Sequence, residues 1–108
     1  MAEIIGVVDI VVAEGRVPAL TQAFEACARG THAEQGCLAY ALHVDTANPL
    51  HFILIERWRS QADLDAHMTQ PYVADIFAFV AAEGNLSAAP SLAFLSPLSL
   101  GDPAKGAL

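Results

Sequence analysis

A chain of 108 residues is the size of one domain with one hydrophobic core. Twelve acidic against five basic side chains give a net charge of −7, which repels phosphate backbones and anionic lipid and argues against nucleic acid or membrane surfaces as partners. The start of the chain, MAEIIGVVDIVV, has no basic leader and is broken by Glu3 and Asp9, so it reads as neither signal peptide nor membrane span. Cys27 and Cys37 make no disulfide framework and read as two small buried thiols in a reducing cytoplasm.

In chain order, Ile4 to Val12 is β-branched and predicts a strand. Gly15 marks a turn and Pro18 suits a helix's first turn. Leu20, Phe24, Cys27 and Ala28 repeat at helical spacing to about Gln35, where Gly36 stops the helix. Cys37 to Val44 predicts a second strand, Asp45 to Pro49 a turn, and His51 to Arg59 a third strand. Ser60 with Asp63 forms a capping box and opens a short helix. Pro71 interrupts that helix or begins another, whose apolar stripe runs through Tyr72, Val73, Ile76, Phe77 and Val80 to Gly84. Ser91 to Leu98 predicts the last strand. Residues 1–98 are thus expected to form one domain and 99–108 a flexible tail.

Strand, helix, strand, strand, helix, strand is the order of an α+β, ferredoxin-like fold with two helices on one face of an antiparallel sheet. Both faces of the strands are apolar: Ile53 and Ile55 share one with Arg57, while Phe52, Leu54, Glu56 and Trp58 share the other. Helices cover only one face. A second copy of the sheet is expected to cover the other, giving a homodimer. The Phe52 set belongs under the helices. Glu56 then stands in an apolar space and needs a donor or a proton. His67, on one helical face with Leu64 and Met68, is the candidate donor, placed at the pocket margin. A structural role for the pair, fixing the strand-to-helix corner, is the competing reading.

Glu56-x-Trp58, a capped helix ending in His67, then Thr69-x-Pro71-Tyr72, together with Glu34-Gln-Gly-Cys-Leu-Ala-Tyr40, resemble the antibiotic biosynthesis monooxygenase family over Ile4 to Leu95. The resemblance implies a dimeric α/β barrel with a pocket between sheet and helices in each subunit. It implies a cofactor-independent monooxygenase that oxidises a small hydroxylated aromatic, quinol or polyketide-like, with O2 and with no metal, flavin or haem. His67, Glu56, Trp58 and Tyr72 are then the expected catalytic groups, the Trp58 N–H holding a substrate oxygen. Phe52, Leu54 and Phe77 are the expected substrate walls. Relatives that oxidise polyketides carry an asparagine where this chain has Leu54, and haem-degrading relatives carry an axial histidine where Phe77 and its neighbours offer none. The alternatives are an isomerase or proton-transfer enzyme acting on a small carbonyl metabolite through Glu56 and His67, and a non-catalytic metabolite-binding dimer.

Remaining features carry less. His43 and His51 flank one hairpin without a thiolate or carboxylate set around them, so they read as exposed histidines and not a metal site. His32 reads as a solvated helix end. Tyr40, Phe77, Phe79 and Phe94 read as core, with Phe77 able to serve as a substrate wall as well. Phosphate loops, CxxC and nucleotide fingerprints are absent from the sequence.

Overall fold

The computed structural model describes residues 3–108; Met1 and Ala2, counted above in the domain, lie outside the described residues. Its elements are β1 (Ile4–Val11), α1 (Val17–His32), β2 (Cys37–Val44), β3 (His51–Trp58), α2 (Gln61–His67), α3 (Pro71–Ala81) and β4 (Ser91–Leu95). One four-stranded sheet has the order β2-β3-β1-β4, with every neighbouring pair antiparallel. β-branched residues fill the central strand β1, and Phe52, Ile53, Leu54 and Ile55 make the first half of its neighbour β3 apolar on both faces of the pleat.

The helices share one face of this sheet. Leu20, Phe24 and Cys27 of α1, Leu64 of α2, and Val73 and Ile76 of α3 bury against Ile10, Tyr40, Phe52, Leu54 and Trp58. Both longer helices begin with proline in the first turn, where the missing N–H costs no bond. Ser60 caps α2 as expected, accepting from the Asp63 N–H at 3.2 Å, and its hydroxyl donates to Asp63 Oδ2 at 2.7 Å. Pro71 begins a separate helix, the second of the two readings its position allows.

Three boundaries differ from the expectation. α1 ends at His32, because the N–H groups of Ala33 and Glu34 turn back to Gly30 and Thr31 and tighten the chain. That early stop puts Glu34 in the connection to β2. β3 ends at Trp58, because the chain turns at Ser60, the N-cap of α2. β4 ends at Leu95 opposite Ile5, near the start of β1, and Pro97 lacks the N–H that a ladder would use.

On the opposite face, Val7, Ile53 and Ile55 are half-buried. Arg57 pairs there with Glu3 at 3.1 Å, and the chain after β4 returns so that Pro97, Pro103 and Leu108 share a cleft with both. The expectation of two exposed hairpin histidines needs correction. His43 is exposed, but His51 is half-buried and bridges two carboxylates, Nδ1 to Asp45 and Nε2 to Asp9, each at 2.9 Å. The Asp45 and Asp9 bonds hold the His51 pKa above its ordinary value, and His51 in turn holds Asp45 low. Among the described residues no helix is long and apolar enough to cross a membrane.

Candidate active site

Glu56 sits mid-strand on β3, paired with Gly6 of β1 and Tyr40 of β2, and its side chain enters the layer between sheet and helices with 6% of its surface exposed. Glycine at position 6 makes the space. A Cβ there would stand 3.3 Å from the Phe94 ring and 3.4 Å from the Glu56 carboxylate. The carboxylate's donor is Trp58, two residues along the same strand face, whose Nε1–H gives Glu56 Oε1 a 2.9 Å hydrogen bond. Burial raises the Glu56 pKa; the Trp58 bond and the nearness of His67 counter it, and Glu34's charge adds to it.

His67 is the last residue of α2 and is 3% exposed, not at a margin as its position in the sequence suggests. Its ring lies over the Trp58 indole, centroids 4.4 Å apart, with Tyr40 at 5.7 Å. The expected bond from His67 to Glu56 is not formed: Nε2 stands 3.9 Å from Glu56 Oε1, too far for a hydrogen bond. His67 instead donates through Nδ1 to Glu34 Oε2 at 2.7 Å. The early end of α1 is what brings Glu34 there. Two carboxylates thus flank the ring, and the bond to Glu34 leaves Nε2 as the nitrogen facing Glu56.

Tyr72, in the first turn of α3, donates its hydroxyl to the same Glu34 Oε2 at 2.7 Å, and burial together with that bond pushes its pKa up. Its ring lies directly on Gly30 of α1. A Cβ at that position would come within 2.6 Å of the ring carbons, so Gly30 is a close-approach glycine. Gly30→Ala should therefore lower stability by about 1–2 kcal/mol, because the overpacking cost exceeds the helix-propensity gain of alanine. Denaturant unfolding checks this. A stabilised Gly30→Ala protein would mean that Tyr72 swings away freely.

A cavity of about 130 Å³ opens between the sheet and α3. Its walls are Val8, Ile10 and Leu54 of the sheet and Ile76 and Phe77 of α3, with Glu56, His67 and Tyr40 supplying polar atoms. Of the residues singled out from sequence, Glu56, His67, Leu54 and Phe77 line it. Trp58 lies behind them, fully buried, its N–H given to Glu56 and not to the cavity. Tyr72 is held on Glu34, outside the lining, and Phe52 is core without touching the space. Phe94, expected in the core, is 47% exposed at the cavity's mouth because β4 is an edge strand.

Glu34 and Tyr40 are the residues whose parts sequence reasoning missed. Tyr40 faces inward from β2, its hydroxyl 3.3 Å from Cys27 Sγ, and burial raises its pKa. Its alternation along the strand was the available signal. Glu34 opens the Glu34-to-Tyr40 segment that carries part of the family resemblance, but nothing in its spacing points it toward His67. Among the described residues no group of three or more His, Cys, Asp or Glu side chains could hold a metal ion.

Comparison with known proteins gives a consistent picture. No curated protein matches the chain. Among solved structures, protein PA3566 from Pseudomonas aeruginosa is 28% identical with a TM-score of 0.79, covering 91% of this chain and 96% of its own. Rv0793 from Mycobacterium tuberculosis is 25% identical with a TM-score of 0.80, covering 90% and 96%. A conserved protein from Methanosarcina mazei, 21% identical with a TM-score of 0.81 over 88% and 92%, shares the fold. The family model described as antibiotic biosynthesis monooxygenase matches residues 4–78, which span β1 through most of α3 and hold Glu34, Glu56, Trp58, His67 and Tyr72; the chain belongs to that family.

Proposed function

We propose that this protein is a cofactor-independent monooxygenase that oxidises a small hydroxylated aromatic with O2. The observation that carries the reading is the Glu34–His67 pair at the wall of an apolar, ring-sized cavity. Nδ1–H of His67 is fixed on Glu34 at 2.7 Å, so Nε2 is free to take a phenolic proton, and Glu34 steadies the cation that forms. This gives Glu34 the supporting role expected of Glu56. The volume of about 130 Å³ is close to that of cavities that hold one benzene ring, which favours a quinol over a polycyclic polyketide.

Proton loss makes the ring electron-rich enough to reduce O2 itself. A dihydroxybenzene and O2 give a hydroxyquinone and water: one oxygen atom enters a ring carbon, the other leaves as water, and all four electrons come from the substrate. The protein supplies the base, orientation and water exclusion. Leu54, Ile76 and Phe77 are the walls in this scheme, and Trp58 and Tyr72 position the acid–base groups from behind. O2 uptake with a panel of quinols, using isotopically labelled O2, tests the reading. One labelled atom in the product supports it; labelled peroxide with unlabelled quinone, or no uptake, overturns it.

The same reading includes a homodimer joined through the outer sheet face, where Ile53 and Ile55 stand half-buried. Ile55→Asp should shift the protein to monomer at micromolar concentration, since an unpaired carboxylate in an apolar interface has no partner. Light scattering checks this, and a monomeric unmodified chain would refute it. A cytoplasmic location suits the free thiols of Cys27 and Cys37.

A further inference from the structure

The geometry points to a neutral vicinal diol on a single ring, a catechol bearing no carboxylate, as the ligand of the Glu56–His67 wall. The inference rests on the phenol-oxidising reading above and narrows its substrate. His67 Nε2 and Glu56 Oε1 lie 3.9 Å apart without bonding each other, and both line the cavity. Nε2 is an acceptor because Nδ1 donates to Glu34, and Oε1 keeps a lone pair after accepting from Trp58. The wall is therefore two adjacent acceptors on one side of the space. Adjacent hydroxyls of a catechol leave the ring side by side, and each meets one acceptor.

A para diol has its hydroxyls at opposite ends. Its second hydroxyl would face apolar lining such as Val8 or Ile76, and burying a donor against such a wall forfeits its hydrogen bond to water. The other polar groups at the cavity do not relieve this. Tyr40's hydroxyl is directed to Cys27 at 3.3 Å, and Ser91 stands on the exposed rim. Charge narrows the class further. Among the described residues no lysine or arginine lines the space, Glu34 lies behind His67, and the chain carries a net charge of −7, so a carboxylated ring is repelled. The rim is apolar: Met68, Phe77, Leu92 and Phe94 are 42%, 48%, 44% and 47% exposed around the opening. An alkyl substituent leaving there covers them.

Trp58, the one tryptophan, stacks on His67 and reports binding by its fluorescence. Titrations without O2 separate binding from oxidation. Catechol should bind about tenfold more tightly than hydroquinone or phenol, the worth of one added hydrogen bond to a buried acceptor. An alkyl-substituted catechol should bind more tightly still, and a carboxylated catechol should bind worst. Glu56→Gln should narrow the catechol-to-hydroquinone ratio, a neutral amide oxygen being a weaker acceptor than the carboxylate it replaces; the ligand panel on the unmodified protein decides the matter if that variant does not fold. Hydroquinone binding as tightly as catechol, or neither binding, overturns the inference. The predicted preference without O2 uptake in air leaves the inference standing and overturns the oxygenation reading instead.

Discussion

His67→Gln lowers turnover of an accepted quinol by about 100-fold or more, the usual contribution of a general base. Glutamine can place an amide N–H near Glu34, so that carboxylate keeps a donor, but it has no nitrogen able to take a proton. His67→Ala is the weaker experiment. The ring is 3% exposed and stacked on Trp58, so its removal leaves a hole beside the largest buried side chain and strands Glu34 with Tyr72 alone. That variant should lose stability as well as activity. Glu34→Gln should lose less turnover than His67→Gln, since the base survives and only its orientation and charge support are weakened. Activity per folded molecule, measured with thermal unfolding on the same samples, separates these effects. Full activity in His67→Gln would remove His67 from the chemistry and leave it a packing residue.

Physical reasons divide what the sequence reveals here from what it hides. The strands and helices are legible because alternation and helical spacing are local: Phe52, Leu54, Glu56 and Trp58 all face the helices as their spacing requires. Proline at the helix starts and the Ser60 cap are equally local, and they mark α1, α2 and α3 correctly. The partners within the site are not local. Glu34 reaches His67 across 33 positions, through a helix that ends three residues earlier than its apolar stripe implies. Periodicity places a side chain on a face but does not say which of two carboxylates an imidazole chooses. The Trp58–Glu56 bond is the opposite case. It joins residues two apart on one strand face, so it is within reach of the sequence, although the resemblance points the indole N–H toward substrate.

That bond underlies the second large effect: Trp58→Phe destabilises the protein in a pH-dependent way. The phenyl ring keeps most of the packing against His67 but loses the N–H that satisfies Glu56 Oε1 at 2.9 Å. Leaving a buried carboxylate without its donor costs about 1–3 kcal/mol. The sign with pH follows from the raised Glu56 pKa. A carboxyl whose pKa is higher folded than unfolded holds its proton more tightly in the native state. Its contribution therefore falls as pH rises from the unfolded value through the folded one. The Trp58 N–H opposes that rise, so removing it lifts the folded pKa further and extends the range over which stability is lost. The deficit of Trp58→Phe should be largest near about pH 8 and smaller near about pH 3, which lies below the ordinary glutamate range and so below the raised native one, leaving Glu56 protonated in both states. Adding Glu56→Gln removes the charge, and the double variant should lose the pH-dependent part of the deficit while keeping the part due to the smaller ring. Urea unfolding of the four proteins at both pH values completes the cycle. An equal deficit at both pH values would mean that the indole acts through its volume alone and that Glu56 finds its donor elsewhere.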